Sequence, residues 1–211
     1  MKIEHLEVLV EEPSMEVFLT VLLPRLLDGK VTFTIHTHQG KSDLLQKLAP
    51  KLRAYAKWLP ESARIIVVID RDNDDCNKLK HRMDSDALSA GFEIRKSSSV
   101  ANWRVVNRIA VEELEAWFFG DWGAVKKAYP RVSPTVPNHS SYRQPDAITG
   151  GTWEALERIL KRAGYFESGL RKVEAAQTIG KHLNPQLNTS PSFISFRDAI
   201  IDAVAELSPT G

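Results

Sequence analysis

Apolar positions change period repeatedly along the first part of the chain. Residues 3–11, IEHLEVLVE, alternate and then run apolar, which predicts a strand. Met15, Phe18, Leu19, Leu22, Leu23 and Leu26 then recur at helical spacing. Ser14 is the expected N-cap of that helix, Pro24 falls near its end, and Asp28-Gly29 stops it. VTFTIHTH, 31–38, is β-branched and alternating, a second strand. Gly40-Lys41-Ser42 opens a helix over about 42–59 that Pro60 closes. Ile65 to Ile69 are apolar without a break, the pattern of a strand covered on both faces. A helix is expected near 76–90, a short strand at FEIRKSS (92–98), and another at WRVVNRIAV (103–111). EELEAWFFGD then begins a helix.

Strands alternating with helices predict an α/β fold with a mostly parallel sheet flanked by helices. Residues 130–151, PRVSPTVPNHSSYRQPDAITGG, are rich in Pro, Ser and Gly and read as a linker or long loop. Helices are expected beyond it at roughly 152–164, 170–183 and 193–207, with Ser192 capping the last. The expected organisation is an α/β domain over 1–129, the loop over 130–151, and a helical C-terminal extension over 152–211.

Composition narrows the function classes. The chain has 211 residues, 43% hydrophobic and 26% charged, enough for a real core without staples. One cysteine, Cys76, excludes an internal disulfide framework. The N-terminus MKIEHLEVLVEE breaks its apolar run with charges, unlike a signal peptide, and no stretch has the length of a membrane span. The expectation is a soluble, cytoplasmic protein with no membrane partner. The sequence does not fix an oligomeric state. A net charge of +1 is not that of a protein that clamps nucleic acid by charge alone.

The candidate chemistry is acidic and sits where strands end. Glu11-Glu12 follow the first strand, Asp70-x-Asp72 the central one, and Glu112, Glu113 and Glu115 the last. In open α/β sheets ligands bind outside the carboxyl ends of strands. Converging carboxylates repel unless cations neutralise them, and hard oxygen donors suit Mg²⁺ or Mn²⁺. A helix beginning at Glu112 would put Glu112 and Glu115 on one face. Each residue also has a plainer reading. Asp74 and Asp75 read as solvated or capping residues and Glu16 as a first-turn acid. Lys41 reads as a surface lysine, and Trp103, Trp117, Phe118 and Phe119 as core. Arg158, Lys161, Arg162, Arg171 and Lys172 read as a solvated basic face.

These motifs resemble the Toprim family. Val10-Glu11-Glu12-Pro13-Ser14-Met15-Glu16 resembles its first motif, with Glu12 where Gly is usual. Val68-Ile69-Asp70-Arg71-Asp72 resembles the second, and Ala110-Val111-Glu112-Glu113-Leu114-Glu115-Ala116-Trp117 a Glu-x-Trp form in which Glu115 is the matching residue. Gly40-Lys41-Ser42-Asp43-Leu44-Leu45 and Ser190-Pro191-Ser192-Phe193 are similar to segments of small Toprim-like proteins, relatives in type of the overcoming-lysogenization-defect nucleases. The resemblance implies a metal-dependent nuclease acting on DNA or RNA. Glu11 would be ligand or base, Asp70 and Asp72 ligands of one Mg²⁺ or Mn²⁺, Glu115 a ligand of a second, and Lys41 a contact to the transferring phosphate. It also implies a partner ATPase of the ABC or AAA type and a role in anti-phage defence. The alternative is a non-catalytic Toprim scaffold that binds a partner protein or nucleic acid. A receiver-type phosphoacceptor at Asp70 lacks its late-strand lysine.

Overall fold

The computed structural model describes residues 2–95 and 102–205. Its sheet contains β1 (His5–Val10), β2 (Thr32–Thr37), β3 (Ala63–Asp70) and β4 (Val105–Ala110) in the order β2-β1-β3-β4. Every pairing is parallel, with Val10 level with Thr37 and Val68, and Asp70 level with Ala110. The carboxyl ends of all four strands therefore meet on one edge. The fold is α/β, as the alternating pattern predicts.

Both faces of the sheet are covered. Along β3, Ile66 and Val68 enter one apolar cluster while Ile65, Val67 and Ile69 enter the other, the period-two alternation of a strand. All eight residues of β3 are buried. The first face carries α1 (Pro13–Leu27) and the second α2 (Lys41–Trp58) and α3 (Cys76–Ser89). After β4 come α4 (Leu114–Gly120), α5 (Trp122–Ala128), α6 (Thr152–Arg162), α7 (Lys172–Gly180) and α8 (Pro191–Val204). Their apolar residues join the first cluster, so the C-terminal helices share a core with α1 and the sheet.

Several local expectations are corrected. The helix α1 begins at Pro13 with Glu12 in the cap position, and the Ser14 hydroxyl donates to the Glu12 carboxylate instead of capping. Ser190, not Ser192, caps α8 by accepting from the Phe193 N–H at 3.2 Å. The FEIRKSS strand reduces to a single parallel bridge between Ile94 and Val105, and its residues from Lys96 onward lie outside the described residues. Asp28 ends α1 in the left-handed conformation, as the Asp-Gly stop suggests. Residues 130–151 form a loop with two short 3-10 turns, and Val132, Pro145 and Ile148 are buried within it. No helix among the described residues is long and apolar enough to cross a membrane.

Trp117 joins the sheet side to the C-terminal helices. Its ring is fully buried, stacked on Phe196 with centroids 5.0 Å apart and edge-on to Phe193 at 5.3 Å. Its indole N–H donates to the Ser192 hydroxyl at 2.9 Å, so the one polar atom of the side chain is satisfied. The helix α7 lies close against α1. A Cβ on Gly180 would stand 2.7 Å from Val21 Cγ2, so only glycine fits without displacement. Arg25 of α1 donates to the carbonyls of Gly180 (2.8 Å) and Lys181 (3.1 Å), placing a cation at the carboxyl end of α7. Truncating Trp117 to Ala removes the ring from this junction and its bond to Ser192, whose hydroxyl keeps only Ser190 at 3.1 Å. The expected loss is about 3–5 kcal/mol, read as a lower urea midpoint; a loss under about 1 kcal/mol would mean the junction does not hold the two parts together.

Candidate functional site

Each acidic cluster reaches the sheet edge by a different local device. The last residue of β3 is Asp70, carried inward by the buried strand and only 3% exposed. Glu11 follows β1 directly and is also buried; its Oε2 accepts from the Asp70 N–H at 3.3 Å. Beyond Asp70 the chain runs beside the end of β4. Arg71 N–H donates to the Ala110 carbonyl and Asp72 N–H to the Glu112 carbonyl, each at 2.9 Å. Asp72 and Glu112, paired in this way, both hold left-handed backbone, at φ 48° and 59°. Such conformations are uncommon outside glycine and concentrate at functional edges. Glu12, by contrast, is extended, so the turn after Glu11 requires no glycine.

The three glutamates after β4 separate. The helix α4 starts at Leu114, so Glu112 and Glu115 do not share a helical face as expected. Glu112 pairs with Arg71. Glu113 accepts from the Thr152 hydroxyl (3.0 Å) and the Trp153 N–H (3.1 Å), capping the start of α6. Glu115 turns inward and is 2% exposed. The loop after β3 closes with Asp75 accepting from Asn77 N–H and Lys78 N–H at 2.9 Å, the cap of α3.

Lysines meet the acids on two sides. Lys41, the first residue of α2, lies 2.7 Å from Asp72 Oδ2 and donates to Asp74 Oδ2 and the Arg71 carbonyl at 2.8 Å. It is engaged with the acidic loop and is not a surface lysine. On the other side Lys172, the first residue of α7, stands 3.9 Å from Glu113 and 5.2 Å from the centre of the Trp153 ring. The sequence placed Lys172 on a solvated basic face. No local pattern marks it, because only the packing of α7 on α1 turns it toward the strand ends.

A model of a family described as a domain of unknown function, DUF4276, matches residues 10–201. The chain belongs to the DUF4276 family. The match runs from the end of β1 through most of α8, so the acidic edge and the C-terminal helices fall within one family unit. No curated protein and no solved structure matches the chain.

In this DUF4276 chain the buried acids are poorly solvated. Burial is the main cause that lifts the Glu11 carboxyl to about 7, and the charge of Asp72 adds to it. Burial also lifts Glu115 to about 7, with Lys172 opposing. Asp70 is raised well above the carboxylate range by burial and then by the charges of Glu11, Glu115, Glu12 and Asp72. Burial pulls the two lysines down, but their acidic neighbours outweigh it and hold both above the usual value: Asp72 and Asp74 for Lys41, Glu115, Glu12 and Glu113 for Lys172. Asp70 Oδ1 and Glu115 Oε2 are buried without any hydrogen-bond partner. Orphaned carboxylate oxygens are costly unless a proton or a cation meets them.

Carboxylate oxygens with free lone pairs are the donor set a hard divalent cation takes. Asp70, Glu115 and Glu11 could supply them, with Asp72 at the exposed rim. Among the described residues, no three acidic, histidine or cysteine side chains form a complete ligand group. The strand histidines are engaged elsewhere, His36 with Glu7 at 2.5 Å and His38 with the Val10 carbonyl at 2.9 Å.

The raised carboxyls fix the sign of a pH effect. A carboxyl with a folded pKa above its unfolded value favours folding below about 4.5 and loses that contribution as pH rises through about 7. Without added metal, thermal stability should therefore fall between pH 5 and pH 8. Glu115→Gln, a permanent mimic of the protonated form, should raise the midpoint at pH 8 and flatten the dependence, by roughly 3 kcal/mol at most. An unchanged pH profile in Glu115→Gln would contradict the burial of this charge.

Proposed function

We propose that the chain is a divalent-metal-dependent nuclease of the Toprim type, acting on the phosphodiester backbone of DNA or RNA. The observation that carries this reading is the pair of buried, unpartnered carboxylate oxygens on Asp70 and Glu115 beside Glu11, at the carboxyl ends of parallel strands. A fold does not keep such charges for stability, and a site of perturbed carboxylates at this edge is a functional candidate.

In this reading Glu11, Asp70 and Glu115 would hold Mg²⁺ or Mn²⁺, with Asp72 completing the set from the rim. The bound cation would neutralise a phosphate oxygen and lower the pKa of a water. The protein's own part is orientation and charge. The Asp70 N–H holds Glu11 in place at 3.3 Å, and β3 fixes Asp70. Lys41 and Lys172 approach the acids from opposite sides and would attract a polyanion that the carboxylates alone would repel. The partner ATPase and the anti-phage role rest on the resemblance alone.

One observation favours a second reading, a non-catalytic scaffold. Lys41 already pairs with Asp72 and Asp74, and Lys172 with Glu113, so the chain supplies part of its own counter-charge. Mn²⁺ titration together with cleavage of single- and double-stranded DNA and RNA separates the two. The nuclease reading expects saturable Mn²⁺ binding, cutting that EDTA abolishes, and a loss of at least about 100-fold in Asp70→Ala and Glu11→Gln. Cutting by Asp70→Ala at the wild-type rate would sink it. Mn²⁺ binding without cutting, alone or with a co-expressed ATPase, would favour the scaffold.

A charge test follows for Lys172. Lys172→Met leaves Glu115 and Glu113 without their cation, so the apo protein should be destabilised at pH 8, and Mn²⁺ should restore more of the midpoint than it does in wild type. Equal recovery in both proteins would mean that Lys172 does not face the proposed metal position.

A further inference from the structure

A second candidate site is formed by the loop that the sequence marks as a linker, and it does not rest on the nuclease reading. Residues 131–142 and the end of α6 enclose an open cleft of about 490 Å³. That is the size of pockets that take small organic ligands. Its charged lining is of one sign. Arg131, Arg162 and His139 face it, and no carboxylate does among the described residues, in a chain with 27 acidic residues. Neither Arg131 nor Arg162 forms an ion pair among the described residues. On the surface nearby, Lys161 is paired with Glu157 and Arg171 with Glu174.

The cleft is held open by contacts outside it. Arg131 lies over the Tyr165 ring, 4.2 Å from its centre, and donates to the Gly164 carbonyl. The buried Val132 and the bond from Trp122 Nε1 to the Ser133 carbonyl (2.8 Å) anchor the loop from beneath. Tyr142 is stacked on Phe119 at 5.5 Å, which fixes the opposite wall. Ser133 and Ser141 add hydroxyls, and Val136 and Ile159 an apolar surface. Two guanidinium groups, an imidazole and hydroxyls around an apolar wall suit a dianionic phosphate joined to an organic ring. Positions set in advance reduce the ordering cost of binding.

We propose that this cleft binds a phosphate monoester carried on a planar organic group, either as a free mononucleotide or as the 5′-phosphorylated end of a strand. Isothermal titration in EDTA tests it with AMP, adenosine, inorganic phosphate, and a trinucleotide with and without its 5′-phosphate. Saturable AMP binding is expected in wild type and equally in Asp70→Ala, which separates this cleft from the acidic edge. Adenosine should bind at least about tenfold more weakly, and so should AMP to Arg162→Glu, since a guanidinium–phosphate pair is a charge-assisted contact. Arg162 is exposed and its side chain makes no hydrogen bond within the described residues, so its reversal should leave folding intact; Lys127→Glu, exposed outside the cleft, is the charge control. Tighter binding of the 5′-phosphorylated trinucleotide than of AMP would assign the cleft to strand ends, and equal or weaker binding to free nucleotides. No saturable binding of any phosphorylated probe, or AMP binding unchanged in Arg162→Glu, would overturn the proposal.

Discussion

The arrangement depends on one costly placement, a carboxylate at the end of a fully buried strand. Eight successive buried residues leave Asp70 no route to solvent through its own strand. Its neighbours make the placement worse, because Glu11, Glu115, Glu12 and Asp72 all act on it with like charge. Water would solvate such a group far better than this environment does. The fold holds it because the parallel register brings three strand ends level and the apolar faces of β3 are committed on both sides. Stability and placement therefore pull against each other at this edge, the usual sign that a group is kept for chemistry or binding.

The C-terminal helices change how that edge is charged. They do not sit apart from the sheet: α7 packs on α1 through Gly180, and α8 packs on Trp117 through Phe193 and Phe196. That packing carries Lys172 to within reach of Glu113 and into the field of Glu115. Glu113 ties the same region to the start of α6 through Thr152 and Trp153. A family unit reaching from residue 10 to residue 201 fits a site assembled from both parts of the chain.

Much of this was legible in the sequence because it is local. The unbroken apolar run Ile65–Ile69 marked a two-faced strand, and alternation with helices marked a parallel sheet. The strand ends followed, and with them the meeting of Glu11 and Asp70 at one edge, whereas their burial was not marked. What escaped was decided by tertiary packing or by competing caps. Glu112, Glu113 and Glu115 read as one acidic cluster, yet they part, Glu112 to Arg71, Glu113 to the start of α6 and Glu115 into the interior, because α4 starts two residues later than an acid-led helix would. Ser190 outcompetes Ser192 as cap since Pro191 takes the first helical position, which leaves Ser192 to accept the Trp117 indole N–H. Lys172 was invisible because nothing within its own helix distinguishes a cation facing water from one facing a buried acid.

The two lysines give the edge a physical logic that carboxylates alone lack. An all-acidic site repels phosphate, and a site whose acids are fully paired has no oxygen left for a cation. Here the pairing is divided. Lys41 takes the exposed acids Asp72 and Asp74, and Lys172 the half-buried Glu113, while Asp70 Oδ1 and Glu115 Oε2 stay unpartnered inside. The long, flexible lysines meet the rim and the short, buried carboxylates line the interior. A small cation entering the interior would meet oxygens, and a phosphate arriving at the rim would meet ammonium groups. That radial separation of charge follows from where the strands end and where two helices begin, since Lys41 and Lys172 are each the first residue of their helix. Helix N-termini add to the same effect, because their free N–H groups favour an anion at the rim over one in the interior.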